Sequence, residues 1–226
     1  MTKRKYQATT VKPIAKASTF DPIYLRINGK TLIRSEVEKL TLDDDTKSID
    51  AEQFSYTGNL KSINIPKKCT LINKFAFQYS CIESIVIPPS VKRIGTAAFR
   101  NCKQLKTVII SEGVTEIDYF AFDSCSSITF IKIPSSLTSI SNSCFHKCSG
   151  LVSVRIPNTI ETIEDRALYS CKNLTEITVP LSVKSIGERS FENCERLKIL
   201  STASNMTVEQ LIRAKPGPHS VYGSEM

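Results

Sequence analysis

Tryptophan is absent from this chain of 226 residues, and histidine occurs only twice, at His146 and His219. Two histidines so far apart supply neither a metal cluster nor a convincing base for a nucleophile. The phosphate-cradling and nucleophile-elbow signatures G-x-x-x-x-G-K-[ST], G-x-G-x-x-G and G-x-S-x-G are missing. No run reaches the ~18 apolar residues that a membrane span needs. The opening MTKRKYQATT carries charge with no apolar core behind it, unlike a secretory signal. These absences predict a non-enzymatic protein with no cofactor, no bound metal, no small-molecule substrate and no membrane span. The expected location is cytoplasmic.

Cysteine is not scarce: there are eight. Five recur every 23 residues, at Cys102, Cys125, Cys148, Cys171 and Cys194. That spacing fits neither the C-x2-C pairs of zinc sites nor a redox motif. It reads as a ladder of buried free thiols acting as small hydrophobes, since adjacent parallel strands seldom offer disulfide geometry. Cys144 takes the core position held elsewhere by Ala98, and Cys69 that of Val91. Cys81, next to a one-residue deletion, is expected to be more exposed.

The cysteines belong to a larger repeat, best seen from Ile82 to Gln104. Units start at Val37, Leu60, Ile82, Leu105, Ile128, Leu151 and Leu174, with a partial unit from Leu197. Each opens with L-x-x-I-x-I, as in Ile82, Ile85 and Ile87, whose alternation marks a strand with one buried face. Proline follows in five units (Pro66, Pro88, Pro134, Pro157, Pro180) and stops the strand, having no N–H for the ladder. Ser111 replaces it in one. An apolar pair three residues apart comes next, such as Val91 and Ile94, and predicts a short extended segment. Gly95 and its cognates Asp50, Asn73, Asp118, Ser141 and Gly187 suit a helix N-cap. A helical turn is therefore expected, with Ala98, Phe99 and Cys102 on one face. That face repeats as Phe54, Phe77, Phe99, Phe122, Phe145, Leu168 and Phe191. One unit cannot bury it alone, but units stacked strand by strand at ~4.8 Å can.

The pattern LxxIxIPxxVxxIGxxAFxxC, nearly intact from Ile82 to Cys102 and from Leu174 to Cys194, resembles the BspA-type leucine-rich repeat. The resemblance covers residues 37 to 196. It implies an α/β repeat solenoid: a right-handed superhelix with a parallel β-sheet on the concave face and short strands or helical turns on the convex side. It also implies protein binding, often adhesion, and no catalytic residues.

Net charge is +8, of which residues 1–36 carry +6 and the repeats from 37 to 196 only +1. The expected organisation is a basic arm and capping hairpin over 1–36, a solenoid of about seven repeats over 37–200, and a cap helix and tail over 201–226. Asn28-Gly29 is the hairpin signal, and the hairpin should cover the open edge of the first coil. Thr207 to Gln210 matches a capping box before a short helix to about Lys215. The arm, with Lys3, Arg4, Lys5, Lys12 and Lys16, reads either as a solvated tail or as an attachment to an acidic polymer or surface.

Outward strand positions are the candidate partner site. Most are small or polar. Val86, Ile109 and Phe130 are apolar, and Lys132 and Arg155 flank them. β-Branched residues favour strands in any case, but an apolar group beside a basic pair suits a protein-binding patch. The expected function is a protein–protein interaction module binding another protein through the concave sheet. The alternatives are a structural subunit of a larger assembly, cytoskeletal or other, held by its terminal segments, and a secreted or surface adhesin.

Overall fold

The structure is a computed structural model that describes residues 10–11, 24–27 and 30–201. Most of the basic arm and the expected cap helix, Thr207 to Lys215, lie outside the described residues. Near the N-terminus are β1 (Thr10–Val11) and an antiparallel hairpin of β2 (Tyr24–Ile27) and β3 (Lys30–Ile33). Two ladders of parallel strands follow. The longer strands are β4 (Lys39–Leu42), β6 (Ser62–Asn64), β8 (Ser84–Ile87), β10 (Thr107–Ile110), β12 (Phe130–Lys132), β14 (Ser153–Arg155), β16 (Glu176–Val179) and β18 (Lys198–Ser201). The two-residue strands are β5 (Ser48–Ile49), β7 (Leu71–Ile72), β9 (Arg93–Ile94), β11 (Glu116–Ile117), β13 (Ser139–Ile140), β15 (Thr162–Ile163) and β17 (Ser185–Ile186). Register follows the repeat: Ile85 pairs Val108, Ile87 pairs Ile110, and Ile163 pairs Ile186. This is a parallel-strand β-solenoid.

The expected helical turn does not form, so the α/β description is corrected to an all-strand one. Among the described residues the sole helix is a three-residue 3-10 turn, Arg34–Glu36. The reason is visible in the backbone between Asn73 and Ser80. Alternate amides point along the stack: Phe75 N donates to Thr96 O (2.9 Å), Phe77 N to Ala98 O (2.7 Å) and Tyr79 N to Arg100 O (2.9 Å). The amides between them donate three residues back, as Gln78 N does to Phe75 O (3.0 Å). Such alternation requires the chain to reverse its peptide planes. Phe75 (φ 58°) and Tyr79 (φ 58°) do this, as do their cognates in other coils, Ala97 (φ 53°) and Asn101 (φ 59°) among them. Left-handed backbone costs a non-glycine residue ~1–2 kcal/mol, and the inter-coil ladder offsets it. Gly95 is therefore no N-cap. Its backbone runs so close to the preceding coil that a Cβ would lie 2.7 Å from Lys74 N.

The ladders enclose one core. Phe54, Phe77, Phe99, Phe122 and Phe145 are fully buried and stack ring on ring, with centroids 5.0–5.5 Å apart. The thiols do more than fill space. Cys102 Sγ donates to Phe77 O (2.9 Å), Cys125 to Phe99 O (3.0 Å), Cys148 to Phe122 O (3.1 Å) and Cys171 to Phe145 O (3.2 Å). All eight cysteines are free. Six are buried, and Cys81 and Cys194 are half-buried. Burial pushes the Cys144 and Cys148 thiols well up.

Among the described residues no coil precedes the one that opens at Val37, and two devices close its open side. The outer edge of β4 is paired by β1, with Thr10 opposite Thr41, so the hairpin is not the strand that covers that edge. The turn carbonyls of the first coil meet Arg34 instead. Its buried guanidinium donates from Nη1 to Gln53 O (2.9 Å) and Ser55 O (2.9 Å). These carbonyls are the cognates of Ala76 O and Gln78 O, which accept from the coil before them. Arg34 thus stands in for a missing coil. Leu32 of the hairpin packs on the same end of the core.

Candidate functional site

The face built by the longer strands carries the predicted residues. Strand alternation sends Ile85 and Ile87 inward and Ser84 and Val86 outward, and β10 repeats the pattern. Val86 (56 %), Ile109 (52 %) and Phe130 (52 %) are each more than half exposed. From β4 to β16 the other outward positions are Lys39, Thr41, Ser62, Asn64, Ser84, Thr107, Lys132, Ser153, Arg155, Glu176 and Thr178. Val86 and Ile109 are direct neighbours, as are Lys132 and Arg155.

The five residues do not share one sheet. The order β1-β4-β6-β8-β10 ends at β10, and a second sheet, β12-β14-β16-β18, begins at β12. The short-strand ladder is broken at the same level, between β11 and β13. The turn ladder runs on across this seam without a gap, through Phe122 N to Cys144 O (2.9 Å) and Ser124 N to His146 O (2.7 Å). On the strand side the backbone ladder is thus interrupted between two strands that stay adjacent, whereas on the turn side it is continuous. Val86 and Ile109 lie on one lip of the seam, and Phe130, Lys132 and Arg155 on the other.

Side chains bridge the seam. Ser136 Oγ accepts from Gly113 N (3.0 Å) and donates to Val114 O (2.5 Å), and Ser141 Oγ donates to Ile117 O. Glu112 makes the most elaborate bridge. Its Oε1 meets Lys132 Nζ (3.2 Å), and its Oε2 accepts from Ser135 N (2.7 Å) and Ser135 Oγ (2.8 Å). The hydrogen bonds from Ser135 and Lys132 hold this carboxyl below its ordinary range. Sequence reasoning missed the seam and Glu112. The available signal was Ser111-Glu112-Gly113, the one unit from Leu60 onward in which proline does not follow the strand. It also missed Val152, exposed on the coil beyond Phe130. Arg155 has neither a hydrogen bond nor an ion pair from its guanidinium among the described residues. It lines a cleft of about 370 Å³ with Glu112, Lys132, Ser135, Pro157 and Asn158.

On the turn face, His146 Nδ1 lies 2.8 Å from Asp123 Oδ1, and Arg100 Nε donates to Asp123 Oδ2 (2.8 Å). Asp123 is almost wholly buried. Burial opposes its ionisation, but hydrogen bonds from His146 and Ser124 and the charge of Arg100 hold it below the usual range. Among the described residues no group of three His, Cys, Asp or Glu side chains could hold a metal, and no helix is long and apolar enough to cross a membrane.

The model of the BspA type leucine-rich-repeat region matches residues 26–151 and 115–210, in six copies. The chain belongs to this family. Solved structures agree with the assignment. A leucine-rich-repeat protein from Eubacterium ventriosum is 26% identical over 80% of this chain, with a TM-score of 0.67. The leucine-rich-repeat protein of T. pallidum is 27% identical over 75% (TM-score 0.60), and one from Bacteroides ovatus is 26% identical over 74% (TM-score 0.60). The chain spans about half the length of the Eubacterium and Bacteroides chains (51% and 50%) and 70% of the T. pallidum chain. No curated protein matches it. Leucine-rich-repeat proteins of this kind generally bind other proteins and are generally not enzymes.

Proposed function

We propose that this protein is a binding module that holds another protein on the outer face of its longer strands, the concave face of a leucine-rich-repeat solenoid. The observation that carries the reading is the exposure of Val86, Ile109 and Phe130 on a face that is otherwise small or polar. These side chains contribute nothing to the core, and leaving them in water is unfavourable by ~25 cal/mol per Å² of apolar surface. Lys132 and Arg155 beside them supply orientation by charge. An aromatic anchor with an adjacent arginine is the composition of an interface centre. Capture from native extract with the intact chain and with Ile109→Ser/Phe130→Ser tests it. The double variant is expected to fold normally and lose the partner; an unchanged captured set ends this reading.

A second reading, attachment to a larger assembly through the terminal segments, is favoured by the charge of +6 held in residues 1–36. It predicts that deleting residues 1–20 abolishes salt-sensitive retention on an acidic matrix. Unaltered retention removes it.

A further inference from the structure

We propose that the cleft beside Arg155 is an acceptor site for the side-chain carboxylate of an aspartate or glutamate in an extended segment of a partner protein. This rests on the binding face proposed above. A solenoid repeats its own chemistry by translation, so one coil shows what the next is built to hold. At the seam, the Glu112 carboxylate sits on Lys132 Nζ, Ser135 N and Ser135 Oγ. One coil further on, Arg155 is the cognate of Lys132, paired with it in register, and Asn158 is the cognate of Ser135. The place of Glu112 is taken there by Ser135 itself. Serine is too short to reach Arg155 with a carboxylate, and its hydroxyl is already committed to Glu112. The cation, the backbone amide and a polar side chain are therefore in position, and the acid is missing. What remains is the cleft of about 370 Å³ and a guanidinium without a partner among the described residues. A guanidinium fork matches a carboxylate with two parallel hydrogen bonds.

The neighbouring strand, whose Lys132 lies level with Arg155 of β14, fixes what should accompany the acid. Phe130 and Lys132 lie two residues apart on one face of β12, about 6.5–7 Å by strand geometry. A partner segment laid along this face presents every second side chain to it. It would set an acid in the cleft and a bulky apolar residue, two positions away, against Phe130.

An array of random peptides with amidated C-termini, probed with the full chain, tests the site. Selected peptides are expected to hold Asp or Glu two residues from Phe, Leu or Ile. Changing that acid to its amide, or Arg155→Gln in the protein, should weaken each peptide about tenfold or more. Ser135→Glu, which delivers a carboxylate to the cleft from within the chain and gives up the hydroxyl bond to Glu112, should weaken them similarly. Peptides that ignore both acid-to-amide exchange and Arg155→Gln, yet are lost on Phe130→Ser, overturn the carboxylate site and leave the binding face standing. An array that selects no acidic peptide also overturns the site. Peptides indifferent to Phe130→Ser as well as Arg155→Gln overturn the face and the site together.

Discussion

The turn side and the strand side of this solenoid come from the same 23-residue repeat, yet they behave differently. The turn side is continuous. Its amide ladder runs from Phe54 N on Ala76 O to Leu168 N on Ser190 O, and the phenylalanine stack and thiol ladder lie just beneath. On the strand side the backbone ladder is interrupted between β10 and β12, and the exposed apolar residues Ile109 and Phe130 lie on those two strands. Core-facing positions must satisfy two neighbouring coils at once and so tolerate little change. Outward strand positions touch water and are free to be shaped for a partner. The molecule thus separates stability from the proposed recognition by side.

Substitutions can break this comparison. The largest effect is expected at the spine, where Phe99→Ala should destabilise by ~3–5 kcal/mol in chemical denaturation, against no more than ~0.5 kcal/mol for Phe130→Ser on the strand side. Equal losses at the two positions would abolish the distinction. Arg34→Met removes the donor to Gln53 O and Ser55 O and should cost about 1–3 kcal/mol, read from the same denaturation curves.

Asp123→Asn sharpens the comparison through pH. A carboxyl whose folded pKa is depressed contributes stability that is fully present above its unfolded pKa, ~3.9. That contribution is lost as pH falls through the folded value. The variant should therefore be less stable than the parent at pH 7, with the difference shrinking below about pH 4; a gap independent of pH would show that the ion pair with Arg100 and the hydrogen bond with His146 do not carry it. The smallest effect is a gain. Lys147 is exposed with φ 55°, and Lys147→Gly should raise stability by up to ~1 kcal/mol in thermal unfolding.

Much of this was legible in the sequence, because burial in a solenoid is periodic. Ile85, Ile87, Phe99 and Cys102 could each be assigned to the core from spacing alone. The turn was misread for an instructive reason. Ala98, Phe99 and Cys102 share a face in a helix, but they share one equally well in a run of turns that alternate right- and left-handed residues. Apolar spacing does not distinguish the two; Asn101 and its cognate Asn193 are of a type that favours positive φ, but Phe75, Tyr79 and Ala97 are not. Of the proposed binding face, the outward residues were readable from strand alternation. The interruption between β10 and β12 was not, since Thr107-Val-Ile-Ile110 and Phe130-Ile-Lys132 each look like ordinary strands. Only the lost proline at Ser111 marked the level at which it falls.

The arginine at the front of the stack fixes how the array can grow. Because Arg34 occupies the carbonyls that an earlier coil would otherwise engage, a unit added ahead of Val37 has to evict it. Duplications or deletions of whole units between Leu60 and Cys194 leave that terminus untouched. Lengthening or shortening such a gene from within is therefore structurally cheap, and the reach of the proposed recognition surface can change over generations while the end closed by Arg34 stays the same.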